Sequence, residues 1–224
     1  MKTFSYVDPM FRIGRSPDPW DLPDWKFGPF RGRFDDPEQR YRVRYAALSP
    51  HGAFVEKLAI YRPDVATLIA AAKIAGPEPQ PRIPRVPASF FTEYAIGKAR
   101  ANVPGDNGIV DFSTAQGMIA AFAVIEAAAR VVGHPITGYD ASTLLKNDRA
   151  FTQAISSTVY ESGFAGIAYC SRYEPSEVCV ALFEGRHTLF DFAQSSFDGD
   201  DVYFGAACAA HGITLEGGVV STPP

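Results

Sequence analysis

The sequence predicts a mixed α/β fold in which one domain, residues 1–224, packs a sheet against flanking helices, and three observations carry that prediction. An alternating run at 40–48 leads straight into a capped helix at 50. Two β-rich runs, 166–170 and 178–184, follow a second capped helix late in the chain. With 224 residues, 46% of them apolar and 21% charged, the chain can build one core without disulfides or a structural metal.

Residues 16–39, SPDPWDLPDWKFGPFRGRFDDPEQ, are too punctuated by Pro and Gly for a helix and too aromatic for a floppy linker, so an ordered loop over a cleft is expected. In RYRVRYAAL, 40–48, Val43, Tyr45 and Ala47 alternate with Arg42, Arg44 and Ala46, the pattern of a half-buried strand. Ser49-Pro50 supplies an N-cap and a first-turn proline, predicting a helix from Pro50 to about Tyr61. Asp64 can cap a second helix over 65–75, which Gly76 and a proline-rich surface connection end. Residues 89–108 show no decisive period. GIVDF, 108–112, reads as a short strand, after which Ser113 or Thr114 caps a helix that is apolar nearly all round, is closed by Gly133 and is expected to be buried. A helix over Asp148–Ser162 precedes the two late strands, which could form a hairpin or lie as neighbours. A last helix is expected near 201–210, followed by a frayed tail at 213–224.

The net charge of −4 disfavours nucleic-acid binding as a global property. Charge is nonetheless uneven. Residues 31–44 hold five arginines against three acids, whereas 174–224 hold eight acids and only Arg186. Either a cationic surface faces an anionic ligand, or the two halves pair internally. The three cysteines, Cys170, Cys179 and Cys208, make no CxxC pair and suit reduced thiols, and no stretch approaches the roughly 18 apolar residues of a membrane span, so a cytoplasmic protein is expected.

Chemistry concentrates in Arg12 and Arg33, Tyr45, Glu56 and Ser171. The strings around them, GRFDDPEQRYRVRYAALSPHGAFVE and GIAYCSRYEPSEVCVALFE, resemble the RES family, with likeness running from FRIG at 11–14 to ALFE at 181–184. The resemblance implies a mostly antiparallel sheet of the ADP-ribosyltransferase-like kind. It further implies a toxin that breaks the nicotinamide–ribose bond of NAD+, with water, phosphate or a protein side chain accepting the ADP-ribose, and a helix-turn-helix (Xre-like) antitoxin as partner. The family's arginine falls on Arg33 of GRF, its glutamate on Glu56 of AFVE and its serine on Ser171 of YCSR; Arg12 and Tyr45 stand where the family tends to have pocket residues.

These residue types suit that cleavage. Positive charge builds on the ribose as nicotinamide leaves, so a preorganised carboxylate at Glu56 would stabilise it. Planar guanidinium groups at Arg12 and Arg33 would grip the pyrophosphate. Ser171 would position the ribose or the amide, and Tyr45 would wall the nicotinamide ring. NAD+ would be a substrate rather than a recycled cofactor, and no metal is expected: His51, His134, His187 and His211 are scattered, and neither GxGxxG nor a P-loop motif occurs.

Each residue also has a plain structural reading. Arg33 could brace Asp35 or Asp36, Glu56 could sit on a solvated helix face, Ser171 could end a strand, and Tyr45 could be core. It is the joint match that favours a site. Two other activities remain open, an ADP-ribosyltransferase acting on a protein target and a non-catalytic nucleotide- or protein-binding module.

Overall fold

The computed structural model describes residues 3–4, 6–28, 31–63, 66, 69, 73, 85–104, 107–135 and 148–216. Its strands are β1 (Thr3–Phe4), β2 (Tyr6–Arg15), β3 (Val43–Ala47), β4 (Arg85–Val86), β5 (Tyr94–Asn102), β6 (Ile109–Asp111), β7 (Gly166–Cys170), β8 (Val178–Phe183), β9 (Thr188–Ser195) and β10 (Thr214–Leu215). The helices are α1 (Pro50–Leu58, continued as a 3-10 turn over Ala59–Tyr61), α2 (Phe90–Glu93), α3 (Ala115–Ala120), α4 (Phe122–Val132), α5 (Arg149–Glu161) and α6 (Val202–His211). Eight strands form one sheet in the order β1-β6-β7-β8-β3-β2-β5-β9; every pairing is antiparallel except β6 with β7. A parallel neighbour needs a crossover, and α3, α4 and α5 belong to the connection that makes it. The expected mixed, mostly antiparallel sheet flanked by helices is what the chain builds.

Both faces of the sheet are covered, which explains why the late strands read as continuous apolar runs. Tyr169, Cys179, Ala181 and Phe183 enter the larger core beneath the helices, while Ala168, Val180 and Leu182 join Met10 and Trp20 on the other face. β7 and β8 form the hairpin, in register from Gly166 opposite Leu182 to Cys170 opposite Val178. Ser49 caps α1 as expected, its hydroxyl accepting the Gly52 N–H at 2.8 Å, and the helix buries Phe54 against Phe197 and Phe204.

Other expectations need correction. The apolar helix after Thr114 breaks at Ala121 into α3 and α4, and it is not buried all round: Ile119 and Val131 are each 77% exposed. Apolar composition on every side did not force burial: among the described residues, α4 buries Val124, Ile125, Ala128 and Ala129, which lie along one side of it. Residues 89–108, without a decisive period in sequence, contain α2 and β5. Along β5 burial alternates, but the inward positions are Ala95, Gly97, Ala99 and Ala101, too small to announce a strand. A Cβ on Gly97 would fall 2.5 Å from Trp20 Nε1, so the close passage of the 16–28 segment requires glycine there. At the tail, β10 pairs in parallel with β4, and Ile213 is buried. The helix expected at 65–75 and the connection after it lie, apart from single positions, outside the described residues up to 84, as does the tail from 217.

Candidate functional site

One cavity of about 330 Å³ opens where β2, β3 and the start of the helical layer meet. α1 gives it one face, because Ala53, Glu56, Lys57 and Ile60 recur at helical spacing and all line the cavity. β2 contributes Arg12, β3 contributes Tyr45, the loop before β3 contributes Arg31 to Arg33, and β7 with the turn beyond it contributes Tyr169, Arg172 and Tyr173. Among the described residues, six cationic side chains, Arg12, Arg31, Arg33, Lys57, Arg149 and Arg172, thus face one carboxylate, Glu56. In a chain of net charge −4 this is a local concentration of positive potential, suited to an anion.

The arginine loop is held from two sides. Phe34 N–H donates to the Tyr45 hydroxyl at 2.9 Å, and that hydroxyl donates to Asp35 Oδ1 at 2.8 Å. Gly32 N–H donates to Asp35 Oδ2 at 2.5 Å, while Gln153 and Ser156 of α5 donate to the Gly32 and Phe34 carbonyls. Burial pushes the Asp35 carboxyl up from the usual range, opposed by these hydrogen bonds, and burial also raises the Tyr45 phenol, with Asp35 adding to the effect. Gly32 has no room for a side chain: a Cβ would lie 2.5 Å from the Tyr45 hydroxyl. Arg33 leaves this clamp with its guanidinium carbon 5.3 Å from the Phe34 ring centre and 5.2 Å from that of Tyr169.

Of the five residues singled out from sequence, Arg12, Arg33, Tyr45 and Glu56 meet in this cavity. Glu56 Oε1 is buried and finds no hydrogen-bond partner among the described residues. Tyr45 lines the cavity with its ring while its hydroxyl is spent on the loop. Ser171 is placed differently. It is 0% exposed, and its hydroxyl accepts the N–H groups of Tyr173 at 3.1 Å and Glu174 at 3.4 Å, while its own N–H donates to the Glu177 carbonyl. Its neighbours Arg172 and Tyr173 reach the cavity instead, so Ser171 shapes the turn that presents them. We expect Ser171→Ala to cost about 1 kcal/mol of stability through the uncapped turn, measured by urea unfolding. A loss of ligand binding far larger than that of Arg172→Ala would instead place the hydroxyl on the ligand.

Lys57, Arg149 and Arg172 line the cavity as well, beyond the residues singled out from sequence. Lys57 could have been found from its helical spacing to Ala53 and Ile60; Arg149 could not, since nothing local ties the start of α5 to β3. The arginine-rich segment divides between internal pairs and the cavity. Arg42 pairs with Glu184, Arg40 bonds Asp36 and Glu161, and Arg44 donates to His187 Nε2 at 2.7 Å, whereas Arg31 and Arg33 face the cavity. His187 is held down to about 4 by burial and by Arg44, so it is neutral and accepts that bond. Away from the cavity, His51 Nε2 lies 2.8 Å from Glu174, with Glu177 close by, an association that sequence spacing does not reveal. No helix among the described residues is long and apolar enough to cross a membrane.

Comparison with known proteins identifies a family and, among solved structures, a distant likeness. The RES domain family model matches residues 9–200. No curated protein sequence matches the chain. Among solved structures, the chain is similar to one described as the crystal structure of the M. tuberculosis MbcT–MbcA toxin–antitoxin complex, at 15% identity, with 87% of each chain covered and a TM-score of 0.48.

Proposed function

The chain belongs to the RES domain family, and from that premise we propose that it is the toxin of a toxin–antitoxin pair, an enzyme that cleaves the nicotinamide–ribose bond of NAD+. The observation that carries the proposal is the cavity itself, where six cationic side chains surround a single carboxylate whose buried Oε1 has no hydrogen-bond partner among the described residues. Arg12 and Arg33 grip the diphosphate, and arginine does this better than lysine because its planar fork matches two phosphate oxygens at once. Glu56 then faces the ribose. As nicotinamide departs, the sugar gains positive charge, and a fixed carboxylate in a partly desolvated pocket lowers the energy of that state.

The surrounding cations would oppose a developing sugar cation unless their charge were met. The diphosphate meets it, so binding of the remote phosphates is coupled to cleavage at the ribose. Tyr45 and Tyr169 supply aromatic surface for the nicotinamide, and Tyr45 at the same time fixes the loop that carries Arg33. A helix-turn-helix antitoxin is the proposed partner, acting by covering the cavity mouth.

The test is to incubate the purified chain with NAD+, with and without inorganic phosphate, and to follow nicotinamide release by chromatography and the ADP-ribose product by mass spectrometry. Release of nicotinamide with free or phosphorylated ADP-ribose is the expected result. Label carried on a protein would make the chain a transferase towards a protein target, and intact NAD+ at high protein concentration would leave only a binding module.

A further inference from the structure

α1 turns two charged side chains into the cavity, and the cleavage chemistry uses only Glu56. The other, Lys57, places its ammonium 3.7 Å from the centre of the Tyr94 ring and makes no hydrogen bond or ion pair with any described residue. Arg12 enters the same cavity from β2. Its Nη2 donates to the Asp21 carbonyl at 3.3 Å, while its buried Nη1 has no hydrogen-bond partner among the described residues. The charged and titratable groups around Lys57 are Arg12 and Arg15 from β2, Glu93 from α2, Tyr94 from β5 and Glu56 beside it on α1. Two repelling cations are therefore held partly out of water without a carboxylate in contact with either, an arrangement that costs stability until an anion arrives.

We propose that Lys57 and Arg12 together form an anion subsite that takes one phosphoryl group of a diphosphate-bearing ligand, a proposal that rests on the reading of the cavity as an NAD+ site. Aromatic support from Tyr94 holds the ammonium in place and leaves its N–H groups for the phosphoryl oxygens. The subsite has a built-in pH response. Burial, with Arg12 and Arg15 adding to it, lowers the Lys57 ammonium to about 8 in the free pocket. A phosphoryl group bound against it restores the charged form, so binding takes up a proton. Affinity is then fully present below about pH 8 and declines as pH rises through that value.

The experiment is calorimetric titration of the native chain, Lys57→Met and Lys57→Arg with ADP-ribose. This probe keeps the diphosphate, whose charge does not change over the range, and lacks the scissile bond. Native affinity should fall about tenfold between pH 7 and about pH 9. Lys57→Arg should bind well at both values without that decline, because guanidinium does not titrate there. Lys57→Met should bind about tenfold or more weakly at pH 7 with little dependence on pH. Native-like binding by Lys57→Met, a pH decline that persists in Lys57→Arg, or no binding by the native chain would overturn the proposal. Because the probe cannot be cleaved, the expected titrations together with intact NAD+ in the turnover assay would uphold the subsite and reject the cleavage reading instead.

Discussion

Glu56→Gln should lower NAD+ cleavage by about 10²-fold or more in kcat while changing the binding of ADP-ribose little. The substitution preserves size and removes only the charge proposed to steady the ribose cation. The carboxylate is well placed for such an effect: it is the one acidic group among the cavity's described lining residues, and its Oε1 has no hydrogen-bond partner among the described residues that could hold a neutral amide in its place. Steady-state nicotinamide release gives kcat, and calorimetry gives the affinity. Equal losses in both would mean that Glu56 organises the pocket rather than the transition state, and an unchanged kcat would place the charge-stabilising group elsewhere.

Phe54→Ala should cost about 3–5 kcal/mol in folding free energy, the largest stability effect expected of any single change near the site. Phe54 is 0% exposed, and its ring centre lies 4.9 Å from that of Phe197 and 5.8 Å from that of Phe204, so truncation leaves a void under α1 that these rings cannot readily fill. Urea unfolding should show a lower midpoint with an unchanged slope. As a control, Ile119→Ala on the exposed face of α3 should shift stability by no more than about 0.5 kcal/mol. Because α1 buries Phe54 on one side and presents Glu56 and Lys57 on the other, activity should be lost along the same urea curve as the fold. Activity that disappears well before unfolding would show that α1 moves independently of its packing.

The two substitutions also mark how far the sequence could be read. α1 was legible because its signals are local: Ser49 and Pro50 set its start, and the spacing of Phe54 and Leu58 sets its buried side. Ala53 and Ala59, three residues either side of Glu56, are small enough to leave room beside it, and both line the cavity. The β7–β8 pair was legible as two β-rich runs, although their apolar residues reveal neither which face each side chain takes nor that they form a hairpin. β5 was not legible, because alanine and glycine occupy its inward positions, and neither was β9, whose residues are largely exposed and so carry little hydrophobic alternation. The fate of Ser171 could not be read from its neighbours, since a serine that closes a strand has the same sequence signature whether its hydroxyl caps a turn or meets a ligand.

Caps, periods and the paired motifs around Arg33, Glu56 and Ser171 are properties of short stretches of chain, and so the kind of fold, the strand-to-helix handover before Glu56 and the family all follow from residue order. Which basic residues pair internally and which reach the cavity does not. Arg42 meets Glu184 and Arg40 meets Glu161, while Arg12, Lys57, Arg149 and Arg172 converge on one hollow from separate elements, because the environment of a charge is set by whatever lies across space from it. That through-space arrangement, absent from any local pattern, is what gathered a scattering of basic residues into a single cavity of concentrated positive charge.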